Sequence, residues 1–285
     1  MSVRTTAVSD LVASMRAERL RLTKWPAFWI VLGTWILLNL TFNYLAYRSG
    51  EQTAMSDGLP KDQLLQQMLP AAVPGVFTQG MAMFGGALML ILGALAIGSG
   101  YGWGTWKTVL TQGPSRIVAI AATLVCLAVV VVGLVVVAFA VDLGVASLIA
   151  SSESQQLVLP SVRYSLDGIV SGSLILGMWT LAGALIGAIA RGPALAVGLG
   201  LVWVLVVENL LRGVAGIFAP IGVVTARLPG TAAGSLAGAM RSSDAPPTPG
   251  VLDILTRAES ALVLTTYTAL FVLSTIWLIR RRDLV

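Results

Sequence analysis

Ile117–Asp142, IVAIAATLVCLAVVVVGLVVVAFAVD, holds no charged side chain before its final residue, and this run decides the class of fold. About 20 apolar residues cross a hydrocarbon layer as a helix, because every backbone N–H and C=O is then satisfied within the segment. Composition agrees: 56% of the 285 residues are hydrophobic and 11% are charged, with mean hydropathy +0.87. No soluble domain needs that balance. Working outward, spans are predicted at Pro26–Tyr47, Phe77–Gly98, Ile117–Asp142, Gly168–Ala190, Ala194–Leu211 and Ala261–Ile279, about six in all. The third run stays apolar past Asp142 to Ile149, so its outer end is the least defined. The expectation is an all-α polytopic membrane protein, with residues 1–25 as an interfacial helix and 26–285 as a single transmembrane domain.

Basic residues orient the spans. Arg4, Arg16, Arg19, Arg21 and Lys24 precede the first, Lys107 and Arg116 lie between the second and third, Arg191 follows the fourth, and Arg280–Arg282 follow the last. All fall on one side. The opposite loops hold most of the acids: Glu51, Asp57, Asp62, Glu153, Asp167, Asp244, Asp253 and Glu259. Positive-inside bias puts both termini in the cytoplasm of a cell (inner or plasma) membrane. The net charge of +5 is spread over membrane-flanking positions and forms no basic face for nucleic acid. Contact with anionic lipid head groups is its expected use.

The chain has no His, which removes His-ligated metals, His general bases and Ser–His chemistry. Cys126, the only Cys, sits mid-span as a small buried hydrophobe and excludes an intrachain disulfide. No catalytic, cofactor-binding or metal site is read in the chain, and it is not expected to be an enzyme on its own.

The polar island Tyr101–Arg116, YGWGTWKTVLTQGPSR, interrupts two apolar spans. Its glycines followed by Lys107–Thr108 do not make a phosphate loop, which needs G-x-x-x-x-G-K-[ST] between a strand and a helix. A short interfacial helix over Thr105–Thr111, stopped by Gly113–Pro114, is expected, with Trp103 and Trp106 available to fill a pocket on a partner. Upstream, Leu11, Val12, Met15 and Leu22 recur at helical spacing while Arg16, Arg19 and Lys24 can reach head groups. Pro26 should bend the chain before the first span.

Three other features bear on function. Gly183 and Gly187 form a GxxxG pair, with Ala184 and Ala188 beside them, read chiefly as intrachain packing. Val214–Met240 is Gly- and Ala-rich but broken by Pro220, Arg227 and Pro229; it is a poor spanning helix and is expected as re-entrant helices on the outer side, an exported loop being the other reading. Ionisable groups in spans are costly and become functional candidates. Glu208 stands one turn before Arg212, an i,i+4 spacing for an ion pair, and alternatively lines a translocation path. Asp142 is expected to be structural.

The chain resembles the permease subunits of type-2 ATP-binding-cassette (ABC) exporters. The resemblance rests on the basic segment before the first span, the run Gly104–Arg116, Leu228–Pro229–Gly230 with the small residues after it, and the closing Arg280–Leu284. It implies a six-span subunit of a bacterial membrane that pairs with a second permease copy or paralogue. The N-terminal segment, with Arg16, Arg19, Arg21 and Lys24, would be an elbow helix. Trp103, Gly104, Thr105, Trp106, Lys107, Pro114, Ser115 and Arg116 would contact a separate cytoplasmic P-loop ATPase that binds the ATP and Mg, and the cargo would be hydrophobic or amphipathic. Relatives usually carry an acidic residue a few positions before the Gly–Thr pair; this chain has Gly100 there. An ion-coupled transporter or small channel, and a non-transporting assembly or sensor subunit, are the other classes.

Overall fold

The helix that begins at Arg116 is started by the residue in front of it. Ser115 has extended backbone and its hydroxyl accepts the Val118 N–H at 3.3 Å, an N-cap for a helix that then runs to Ser152. The computed structural model describes residues 2–56, 65–111, 114–215, 219–241 and 250–281. Gln112, Gly113 and the tail from Arg282 on, all within stretches that carry the family resemblance, lie outside them.

In chain order the helices are α1 (Ser2–Lys24), α2 (Pro26–Ser56), α3 (Val73–Phe77), α4 (Met81–Gly102, opening with a π turn), α5 (Thr105–Thr111), α6 (Arg116–Ser152), α7 (Val162–Ala190), α8 (Pro193–Ala215), α9 (Ala219–Thr225), α10 (Pro229–Gly238) and α11 (Arg257–Arg281). No strand occurs among the described residues. Five helices, α4, α6, α7, α8 and α11, are long and apolar enough to cross a membrane. Pro26–Thr41, at the start of α2, is apolar over a shorter length.

The helices overrun the predicted spans because hydrogen bonding continues into polar flanks until a cap or proline stops it. α6 is the extreme case, with 37 residues. At 1.5 Å per residue it is roughly 55 Å long, far more than the roughly 30 Å hydrocarbon core. α7 is capped by Ser161, whose hydroxyl accepts the Tyr164 N–H, and ends where Arg191 turns left-handed at φ 51°. Trp25 alone separates α1 from α2, as Pro26 at the first helical position requires.

The centre of the bundle is the α4–α7 crossing, and glycine permits it. A Cβ on Gly187 would stand 2.8 Å from the Ala94 carbonyl oxygen and 3.1 Å from the Gly98 nitrogen, while one on Gly183 would overlap the Leu90 carbonyl. Gly93 of α4 meets Thr180 of α7 in the same way. The GxxxG pair thus brings two backbones of one chain together. Gly187→Val should separate them and cost about 1–3 kcal/mol or more as an overpacked contact. A lowered thermal midpoint of the detergent-purified protein checks this; an unchanged one counts against the crossing.

The broken segment is handled by burial. Thr231, Ala232, Ala233 and Ala237 of α10 are fully buried, and a following stretch of irregular chain returns alongside, with Leu252 N–H donating to Gly234 O at 3.1 Å and Leu255 N–H to Ser235 Oγ at 3.3 Å. Non-helical backbone beside apolar helices therefore finds its partners within the protein. On the same end, Arg257 and Asp167 pair at 2.9 Å and the Tyr164 hydroxyl donates to Met240 O at 3.1 Å.

Candidate functional site

The junction between α4 and α5 is built on two glycines with different tasks. Gly104 sits at φ 66° with open space around its Cβ position, so backbone conformation alone demands glycine there. Its N–H closes onto Tyr101 O at 3.1 Å, Trp103 N–H onto Ser99 O at 2.9 Å, and Lys107 N–H onto Gly104 O at 3.1 Å to start α5. Thr105 Oγ1 adds a bond to Gly100 O at 3.3 Å. The hinge is a closed turn.

Gly100 makes room for Trp106. The indole is buried, donates from Nε1 to Ile97 O at 3.2 Å, and lies over Gly100 so closely that a Cβ there would be 2.7 Å from ring carbons. Around it are Ile97 of α4, Ala119 and Ile120 of α6 and Ile279 of α11, with the Tyr101 ring tilted against it at 6.3 Å. Trp106 therefore anchors α5 to the end of α4 and places it in a buried cluster shared with α6 and α11. It is not offered to a partner.

The outward face of α5 carries Lys107, Thr108 and Val109, all exposed, and Trp103 precedes the hinge with 66% of its surface exposed. Pro114 is half-buried, and Ser115 and Arg116 are exposed at the start of α6. Of the eight island residues singled out from sequence, Trp103, Lys107, Ser115 and Arg116 are thus at the surface, while Trp106 is interior.

α1 packs along α6 through its half-buried Leu11, Ser14 and Met15 and its buried Leu22, and the Cys126 thiol donates to Met15 O at 3.5 Å. Arg21 reaches across to α4, donating to Ala96 O at 2.9 Å while pairing with Glu18 at 2.6 Å. Arg16, Arg19 and Lys24 are exposed. Trp25, at the α1–α2 break, meets Trp103 edge-to-face at 6.2 Å. Thus α1, the end of α4 and the hinge touch one another. Nothing in local spacing pairs Trp25 with a residue 78 positions away.

The second constellation surrounds Glu208. It follows a π turn, Trp203–Val207, and is only 1% exposed. Trp203 Nε1 donates to Oε1 at 2.9 Å, and the Gly230 N–H donates from the first turn of α10. Gly230 has no Cβ to collide with the carboxylate, and Pro229 supplies the first helical position without an N–H. A carboxylate at a helix N-terminus is favourable for both the free N–H groups and the dipole. Arg212, expected to pair with Glu208, instead donates to Asn209 Oδ1 at 2.7 Å, three residues before it. Asp142, buried, accepts from Asn39 of α2 at 3.3 Å.

No family model matches this chain, and a comparison with curated proteins finds no match either.

Proposed function

We propose that the chain is the transmembrane permease subunit of an ATP-driven transporter of the type-2 ABC exporter kind. ATP and Mg would be bound by a separate cytoplasmic ATPase, a second permease copy or paralogue would complete the pathway, and the cargo would be hydrophobic or amphipathic. The observation that carries the reading is α5: a two-turn helix held to the end of α4 by a buried Trp106, which joins a cluster shared with α6 and α11, with an exposed face of Lys107, Thr108 and Val109. A push on that face is delivered to the long helices without loss in a soft loop. Nucleotide-driven closure of two ATPase subunits would tilt the spans and alternate access between the two sides. In this reading α1 is the elbow, α2 is the remaining span, and α9 and α10 are re-entrant helices on the outer side.

The test is purification of the tagged chain in mild detergent. A P-loop ATPase should accompany it, and its hydrolysis should respond to the permease. Lys107→Ala with Arg116→Ala should weaken that association or uncouple hydrolysis from transport by about tenfold, the loss of one or two good interface contacts. Full coupling in the double variant, at normal expression, would count against the docking face.

One observation favours a second reading, ion-coupled transport: the buried Glu208 carboxylate within α8. It predicts transport that follows a proton gradient and is lost in Glu208→Gln with no ATPase present.

A further inference from the structure

A cavity of about 450 Å³ opens between the end of α1 and the end of α4. Its walls include Ala17, Leu20, Arg21, Lys24, Trp25 and Trp103. Among the described residues, two cations and no carboxylate line it. Arg21 pairs with Glu18, and its Nε is buried without a hydrogen-bond partner. The exposed Lys24 ammonium has no partner among the described residues.

We infer that this cavity is a binding site for one anionic glycerophospholipid of the adjacent leaflet, with the headgroup phosphate on Lys24 and Arg21 and the glycerol and upper acyl chain against Leu20, Trp25 and Trp103. The level of the site argues for a lipid. It stands where the apolar part of α2 begins, at Pro26, and where α4 ends, at Gly102, so it is at the boundary of the apolar layer. The Trp25–Trp103 pair has the character of side chains that settle at headgroup depth, with apolar rings and a polar edge. Leu20 and Trp103 are 53% and 66% exposed and extend the apolar wall outward, as a chain-bearing ligand needs and a free phosphate does not.

Three carbonyls at these helix ends already accept hydrogen bonds, which lessens their repulsion of a phosphate. At the end of α1, Leu22 O accepts from Trp25 N–H at 3.2 Å and Thr23 O from Trp29 Nε1 at 2.7 Å; at the end of α4, Ser99 O accepts from Trp103 N–H. What remains facing the cavity is chiefly cationic or apolar. A lipid seated there touches α1 on one side and, through Trp103, the residue before the Gly104 hinge on the other.

The inference does not depend on an ATPase, and binding is measured on the purified full-length chain alone. Native mass spectrometry in detergent would compare phosphatidylglycerol with phosphatidylcholine of the same acyl chains. The wild type should retain phosphatidylglycerol preferentially. Lys24→Gln should lower its affinity about fivefold, the effect of removing one cation at a membrane surface, and Trp103→Ala should lower it again. Arg163→Gln with Arg227→Gln, which removes two exposed charges away from the cavity, should leave it unchanged. Equal loss in that control would assign the preference to diffuse charge and overturn the site. So would retention of the preference in Lys24→Gln, or displacement of the lipid by glycerol 3-phosphate or inorganic phosphate at matching concentrations, which would make the ligand a soluble phosphate. A thermal midpoint shared by all variants keeps misfolding from imitating the result.

Discussion

Gly100→Asp should dislodge the short helix α5 and sharply lower the yield of folded protein, although it introduces the acidic residue usual at this place in the exporters the chain resembles. The reason is steric before it is electrostatic. A Cβ at position 100 alone would stand 2.7 Å from carbons of the Trp106 indole, a distance no relaxed contact shows. The indole has little room to move, because it is buried in one cluster with Ile97, Ala119, Ile120 and Ile279 and its Nε1 is bonded to Ile97 O. Gly100→Ala should therefore cost about 1–3 kcal/mol, the usual range for overpacking. Gly100→Asp adds a buried carboxylate and should cost more. Trp106→Ala, an emptied aromatic site, should cost about 3–5 kcal/mol.

The decisive measurement is the double variant. If Gly100 exists to receive Trp106, then Gly100→Ala combined with Trp106→Ala should be less damaging than the sum of the singles by at least about 1 kcal/mol, as expected for residues in direct contact. Thermal unfolding of the four proteins in one detergent reads this coupling. Strict additivity would mean that the two residues do not meet as described. This result also separates two uses of tryptophan in the island. Trp106→Ala should lower stability wherever it is measured, whereas Trp103→Ala should leave stability near the wild type and act only on what binds the surface.

Apolar windows located the long helices because hydrocarbon burial is a sum over some twenty residues and tolerates local noise. Helix ends are set by single residues, so they were less legible. α6 passes Asp142 by ten residues because nothing between Asp142 and Ser152 breaks a helix; the stop comes at Glu153 with the left-handed Ser154 behind it. The orientation of α5 was hidden for a different reason. Seven residues make two turns, too short for a periodic pattern to say whether Trp103 or Trp106 faces inward. The answer lies in Gly100, one turn before the hinge, whose emptiness has meaning only once the chain has folded back. Glu208 and Arg212 show the limit of spacing arguments. Four residues apart on a helix allows a pair, but the carboxylate is claimed by Trp203 from the preceding π turn and by Gly230, 22 positions later in the chain.

Glu208→Ala should be among the most damaging changes outside α5, by about 1–3 kcal/mol, because it empties a buried site and leaves two half-buried donors, Trp203 Nε1 and the Gly230 N–H, without their acceptor. Glu208→Gln should lose about half as much. It keeps one oxygen acceptor, but its amide nitrogen must then face the other donor, so one bond is lost and a donor opposes a donor. Gly230→Ala attacks the same contact from the other side, since its Cβ would overlap the carboxylate. Because both changes break one arrangement, their combination should cost clearly less than the sum. The structural consequence is local. α10 is buried along most of its length and its first turn is tied to α8 by this carboxylate, so the variants should open the α9–α10 region to protease before the bundle unfolds. A Glu208→Ala protein with unchanged midpoint and unchanged protease pattern would remove the carboxylate from its role as the fastening of α10. If instead Glu208→Gln is stable but abolishes transport along a proton gradient, the ion-coupled reading gains over the ATP-driven one. Loss of fastening with transport intact would leave Glu208 a structural group.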